Sequence, residues 1–101
     1  MKKKPMSLKK EAKYFEDFFK KQMKNKEFRE AYEAETLREI FAEQLTGARK
    51  KRHLTQQGLA KIVNMPQQEI SRIEKGEQNV TTDMIGRLLA GMQAKIQIHI
   101  G

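Results

Sequence analysis

Residues 54–76 read LTQQGLAKIVNMPQQEISRIEKG. Two short apolar-periodic runs flank a break at Asn64-Met65-Pro66. In the first run, residues 55–63, Leu59, Ala60 and Val63 recur at helical spacing. In the second, residues 67–75, Ile70 and Ile73 lie one turn apart. Such spacings gather side chains on one helix face. Asn64 tolerates a left-handed backbone and can end the first helix. Pro66 pushes Met65 out of the α region and suits a helix start. The stretch therefore predicts helix, tight turn, helix. The second helix turns Ile70 and Ile73 inward and shows water Gln67, Gln68, Ser71 and Arg72. This is the geometry of a helix-turn-helix, whose second helix enters the major groove. The residue types suit base reading, since Gln pairs bidentately with adenine, Arg with guanine, and Ser bonds to either. Two solvated helices in a small helical bundle fit the same pattern.

The stretch also resembles the bacterial Xre/Cro-type helix-turn-helix family. The residues that carry the resemblance are Leu54-Thr55-Gln56, Leu59-Ala60, the turn 64–66, Gln67, Ile70-Ser71 and Glu74-Lys75-Gly76. It covers residues 45–89. It departs from the family at Asn64, where glycine is preferred, and at Pro66, where a Ser or Thr cap is usual; the lost cap weakens the second helix slightly. Gly58 inside the first helix costs about 1 kcal/mol relative to alanine. The resemblance implies that Gln67, Gln68, Ser71 and Arg72 face the groove. It also implies that Gln56 and Asn79 hold phosphates, and that Arg49 pairs with Glu74 as a structural ion pair.

The 101-residue chain is long enough for one compact domain. It has no cysteine, so disulfides and thiolate metal sites are excluded. No apolar run approaches membrane-spanning length. The basic start, MKKKPMSLKKEAKYF, lacks the apolar core of a signal peptide, and the expected location is cytoplasmic. Net charge is +8, of which residues 1–33 carry +5. A positive chain attracts phosphate backbones. Most of the charge nevertheless lies outside the reading helix, where it positions DNA, meets another partner or serves solubility.

Lys2-Lys3-Lys4-Pro5 reads as a frayed terminus, and Ser7 as a helix cap with Glu11 one residue late for a capping box. Tyr14, Phe15, Phe18 and Phe19 form two i, i+4 pairs, and Met23 extends their stripe. A helix packed on the chain's own core, an amphipathic dock for a partner protein, and a membrane-surface helix are all compatible with this stripe. Glu11, Glu16 and Asp17 argue against the membrane. Aromatics at this density need a surface to bury against. Residues 24–26 form a short connection. Phe28, Ala31 and Tyr32, then Leu37, Ile40, Phe41, Leu45 and Ala48, fit one long helix or two broken near residues 33–36. Lys50 and Lys51 follow Arg49 near a helix C-terminus, where cations are favoured, and are candidate phosphate contacts. His53 reads as a turn residue. Thr81 or Thr82 caps a helix over residues 83–92. In the last run, AKIQIHI, strict alternation predicts a strand with Ile96, Ile98 and Ile100 on one face. A lone strand needs a mate, so pairing with a second copy is expected.

No metal-ligand cluster, phosphate loop or nucleophile elbow occurs, and neither a catalytic residue, a metal nor a cofactor is expected. The fold expected is mainly α: a five- or six-helix bundle containing a helix-turn-helix, with a short C-terminal β-strand pairing across a dimer. Its parts are a partner-binding region over residues 1–33, a DNA-binding domain over 34–93 and a dimerisation strand over 94–101. In length and layout the chain resembles HigA-type antitoxins, with residues 26–32, KEFREAY, as a short second match. That resemblance implies two partners. One is a RelE/HigB-like mRNA-cleaving toxin, bound through Tyr14, Phe15, Phe18, Phe19, Met23, Phe28 and Tyr32. The other is double-stranded operator DNA, bound as a homodimer that represses its own operon. The +5 charge of the first 33 residues sits awkwardly against a basic toxin. A free-standing Xre-type repressor is the alternative.

Overall fold

The structure is a computed structural model and describes residues 8–101. The expectations for residues 2–7, including the Ser7 cap, lie outside the described residues. Five helices occur among the described residues: α1 (Leu8–Gln22), α2 (Lys26–Lys51), α3 (Gln56–Val63), α4 (Gln67–Glu74) and α5 (Thr82–Met92). The chain divides into two compact units, residues 1–34 and 35–101.

In the first unit, Asn25 starts α2: its Oδ1 accepts the backbone N–H of Phe28 at 3.1 Å. Phe19 is the aromatic hub. Its ring meets Tyr32 edge-on at 4.9 Å and Phe28 at 6.2 Å, and it stacks with Phe15 at 6.3 Å. Phe19, Met23 and Phe28 are half-buried, whereas Tyr14, Phe15 and Phe18 remain exposed.

The second unit holds the core. Phe41 and Leu45 from α2, Leu59, Ala60 and Val63 from α3, Met65 from the turn, Ile70 and Ile73 from α4, and Leu88 and Met92 from α5 form one buried cluster. Thr55 caps α3, its Oγ1 accepting from Gly58 N at 2.9 Å. A side chain at Gly58 would crowd that same oxygen, so glycine there makes room for the cap. Thr81 caps α5 through Met84 N at 3.1 Å. Gly91 of α5 packs directly against Val63 of α3, with no room for a methyl group between them.

The expected C-terminal strand is corrected. No β-strand occurs among the described residues; residues 94–101 have no regular secondary structure and belong to no ladder. Alternation in a sequence shows which side chains share a face, but a strand also requires a backbone mate, and a side chain takes that place. The Gln44 amide donates to the Gln97 carbonyl at 3.1 Å and accepts from the Gln97 N–H at 3.2 Å. This is the two-bond exchange of an antiparallel pair, made by a helix-borne amide. The isoleucine face divides as well. Ile96 packs on the core, whereas Ile98 and Ile100 are exposed.

Candidate nucleic-acid interface

The turn between α3 and α4 is built residue by residue. Asn64 ends α3 in the left-handed conformation (φ 55°, ψ 52°). Its backbone N–H and that of Met65 both bond to the Ala60 carbonyl, which closes the helix end on that one acceptor. Arg87 of α5 reinforces this end, donating to the Val63 and Asn64 carbonyls at 2.7 and 2.9 Å. Met65 is buried and anchors the turn in the core. Pro66 opens α4 at φ −61°, ψ 140°, with no side-chain cap bond.

The inward face of α4 carries Ile70 and Ile73, both fully buried. The opposite arc carries Gln67, Gln68 and Arg72, all exposed, and half-buried Ser71. These four polar side chains share one side of a two-turn helix, and their donors and acceptors match base edges.

One buried ion pair sets the position of α4. Arg49 Nε and Nη2 donate to the two carboxylate oxygens of Glu74 at 2.7 and 3.0 Å, a bidentate fork. Arg49 Nη1 donates to the Leu54 carbonyl at 2.7 Å, and Gln56 Nε2 to Glu74 Oε1 at 3.3 Å. The end of α2, the loop before α3, the first turn of α3 and the end of α4 thus meet at one ion pair. Burial of Glu74 works to raise its pKa. The hydrogen bonds from Arg49, Gln56 and Thr46, together with the Arg49 charge, outweigh burial and leave it below the ordinary value of 4.5. Arg49 is correspondingly pushed up, chiefly by its hydrogen bond to Glu74.

The remaining candidate residues are distributed as follows. Lys50 and Lys51 are exposed at the end of α2. Gln56 is half-buried and engaged with Glu74. Asn79 is exposed in the loop before α5, its Oδ1 accepting from Arg38 Nη1 at 3.0 Å. Tyr14, Phe15, Phe18, Phe19, Met23, Phe28 and Tyr32 all lie in the first unit. Sequence reasoning missed Arg52, which donates to the carbonyls of Met92 (2.5 Å), Ala48 (3.0 Å) and Gln93 (3.2 Å). It also missed Arg87 and Gln44. Each bonds a backbone at least twenty residues away, a pairing for which local sequence carries no signal. Among the described residues, no group of three or more His, Asp or Glu side chains is placed to hold a metal. Among the described residues, no helix is long and apolar enough to cross a membrane.

The profile of the HTH_3 helix-turn-helix family matches residues 47–97. A crystal structure of an HTH_3 family transcriptional regulator from Vibrio cholerae superposes with a TM-score of 0.60 at 24% identity. The match covers 61% of this chain and 35% of that one; at this identity it speaks to fold alone. No curated protein matches the chain. The comparisons carry the helix-turn-helix part of the resemblance and not the antitoxin part. With just over half of its length matched, the chain belongs to the HTH_3 helix-turn-helix family.

Proposed function

We propose that the protein is a free-standing, sequence-specific transcriptional repressor of the cytoplasm that reads operator DNA with α4. The observation that carries the reading is the polar arc of Gln67, Gln68, Ser71 and Arg72 on a helix whose other face is locked in the core. Lys50 and Lys51 hold phosphates and set affinity rather than sequence. Residues 34–93 form the reading domain. An eight-residue helix spans few base pairs, so two copies bind two half-sites. The test is a titration on a site selected from random DNA and on a scrambled duplex. Gln68→Ala or Arg72→Ala should lose about 1–3 kcal/mol on the selected site and little on the scrambled one. Equal losses on both duplexes would remove α4 from base reading.

A second reading adds a protein partner, a RelE/HigB-like toxin bound by residues 1–33. It is favoured by one observation, the exposure of Tyr14 (72%), Phe15 (67%) and Phe18 (51%) on a single helix. Deletion of residues 1–23 should then abolish co-purification with the product of a neighbouring small basic reading frame while DNA binding persists. An undiminished complex would dismiss these aromatics as the point of attachment.

A further inference from the structure

A cleft of about 240 Å³ opens in the second unit between α2, α5 and the C-terminal tail. Phe41, Leu45, Ala48, Leu89, Met92 and Ile96 make its walls apolar. Its size lies between an engineered cavity of about 150 Å³ that takes up benzene and the roughly 300 Å³ at which drug-sized pockets begin. The wall on the α2 side includes Gly47, and a Cβ at that position would have no neighbour within 4 Å. Glycine in a helix interior costs about 1 kcal/mol relative to alanine, and packing within the chain does not require it at this position.

The tail that closes the cleft is held in place. The Ala94 N–H bonds to the Leu89 carbonyl at 2.9 Å, and the Gln44 amide grips Gln97 from both sides. Between these two anchors Lys95 lines the cleft. Among the described residues no carboxylate pairs with its ammonium group. An open, largely apolar cleft whose lining residues include exposed Lys95 beside Gln44 and Gln97 is complementary to a molecule with an apolar body and one negative end that the lysine side chain can reach.

We propose that this cleft binds a small carboxylic acid with an aliphatic or aromatic tail of roughly ten non-hydrogen atoms, the tail between α2 and α5 and the carboxylate on Lys95. The proposal rests on the second unit alone and is independent of what α4 reads.

The test uses the full chain, with octanoate and its neutral counterpart 1-octanol as probes, followed by methyl NMR. Octanoate should shift the methyl signals of Leu45, Leu89, Met92 and Ile96 saturably, more tightly than octanol. Lys95→Met should weaken octanoate about tenfold, the scale of one charge-assisted hydrogen bond, and leave octanol unchanged. Gly47→Leu, which places a large side chain at a residue lining the cleft, should block both probes while the thermal melt stays cooperative. Should Gly47→Leu fail to fold, the Lys95→Met comparison decides alone. Equal octanoate binding by Lys95→Met would overturn the proposal. So would shifts confined to α1, or the same shifts arising from protein concentration without any acid, which would place a second copy on the cleft.

Discussion

Glu74 shows how much one residue can decide. Its carboxylate is 5% exposed and gathers Arg49, Gln56 and, through Arg49, the Leu54 carbonyl. Removing one partner of a buried pair strands the other charge and costs about 3–5 kcal/mol, against a typical domain stability of about 5–15 kcal/mol. Glu74→Ala should therefore lose a large part of the second unit's stability in urea unfolding. The double replacement Arg49→Met with Glu74→Leu should lose much less, because no charge is left stranded. The pair also makes stability depend on pH. Glu74 has a lowered pKa in the folded state, so its contribution is complete above the ordinary value of 4.5 and is lost as pH falls through the folded value. Urea midpoints measured between neutral pH and about pH 3 should fall steeply below about pH 4.5 in the native chain. The Glu74→Gln variant, weaker at neutral pH, should lack that part of the fall.

At the scale of the helices, three glycines carry opposite expectations. Gly91 lets α5 lie against Val63 of α3, and a methyl group there collides with a short, buried, branched side chain. Overpacking of this kind costs about 1–3 kcal/mol. Gly47 and Gly86 sit in helices with open space around the missing side chain, so alanine should gain up to about 1 kcal/mol through helix propensity. Thermal melts should show Gly91→Ala below the native chain and both Gly47→Ala and Gly86→Ala above it. A shift of about 4–8 °C per kcal/mol is expected for a domain of this size. If Gly91→Ala melted higher, the close approach of α3 and α5 would be wrong.

Across the whole molecule, charge has two uses that composition merges. The net charge of +8 counts every cation alike. In the second unit Arg38, Arg49, Arg52 and Arg87 are tied to protein acceptors, whereas Lys50 and Lys51 are exposed. Replacing Lys50 or Lys51 with alanine should leave the melt unchanged. It should also reduce the salt dependence of DNA binding, by about 0.9 in log–log slope for each phosphate no longer neutralised. Arg52→Ala should do the reverse, since it frees the carbonyls at the end of α5. Anisotropy titrations at several salt concentrations, paired with melts, separate the two. An Arg52 variant that melts like the native chain would return that arginine to the phosphate-binding set.

The helix-turn-helix is legible in the sequence because its determinants are local. The spacing of Leu59, Val63, Ile70 and Ile73 selects one face, and Asn64 tolerates the left-handed turn. Each of these signals acts within a few residues, where backbone sterics and helical periodicity suffice. The C-terminal run misleads for the complementary reason. Its alternation correctly separates Ala94 and Ile96 from exposed Lys95 and Gln97. Whether it becomes a strand, however, depends on a hydrogen-bonding mate, and that mate is the side chain of Gln44, 53 residues away. The same holds for Arg52 and Arg87, which in the sequence alone are two more cations available to phosphate. Sequence by itself determined which faces of the helix-turn-helix are apolar and where its two helices break. Only the tertiary structure decided which polar groups meet, because a buried donor must find an acceptor wherever the packed chain supplies one.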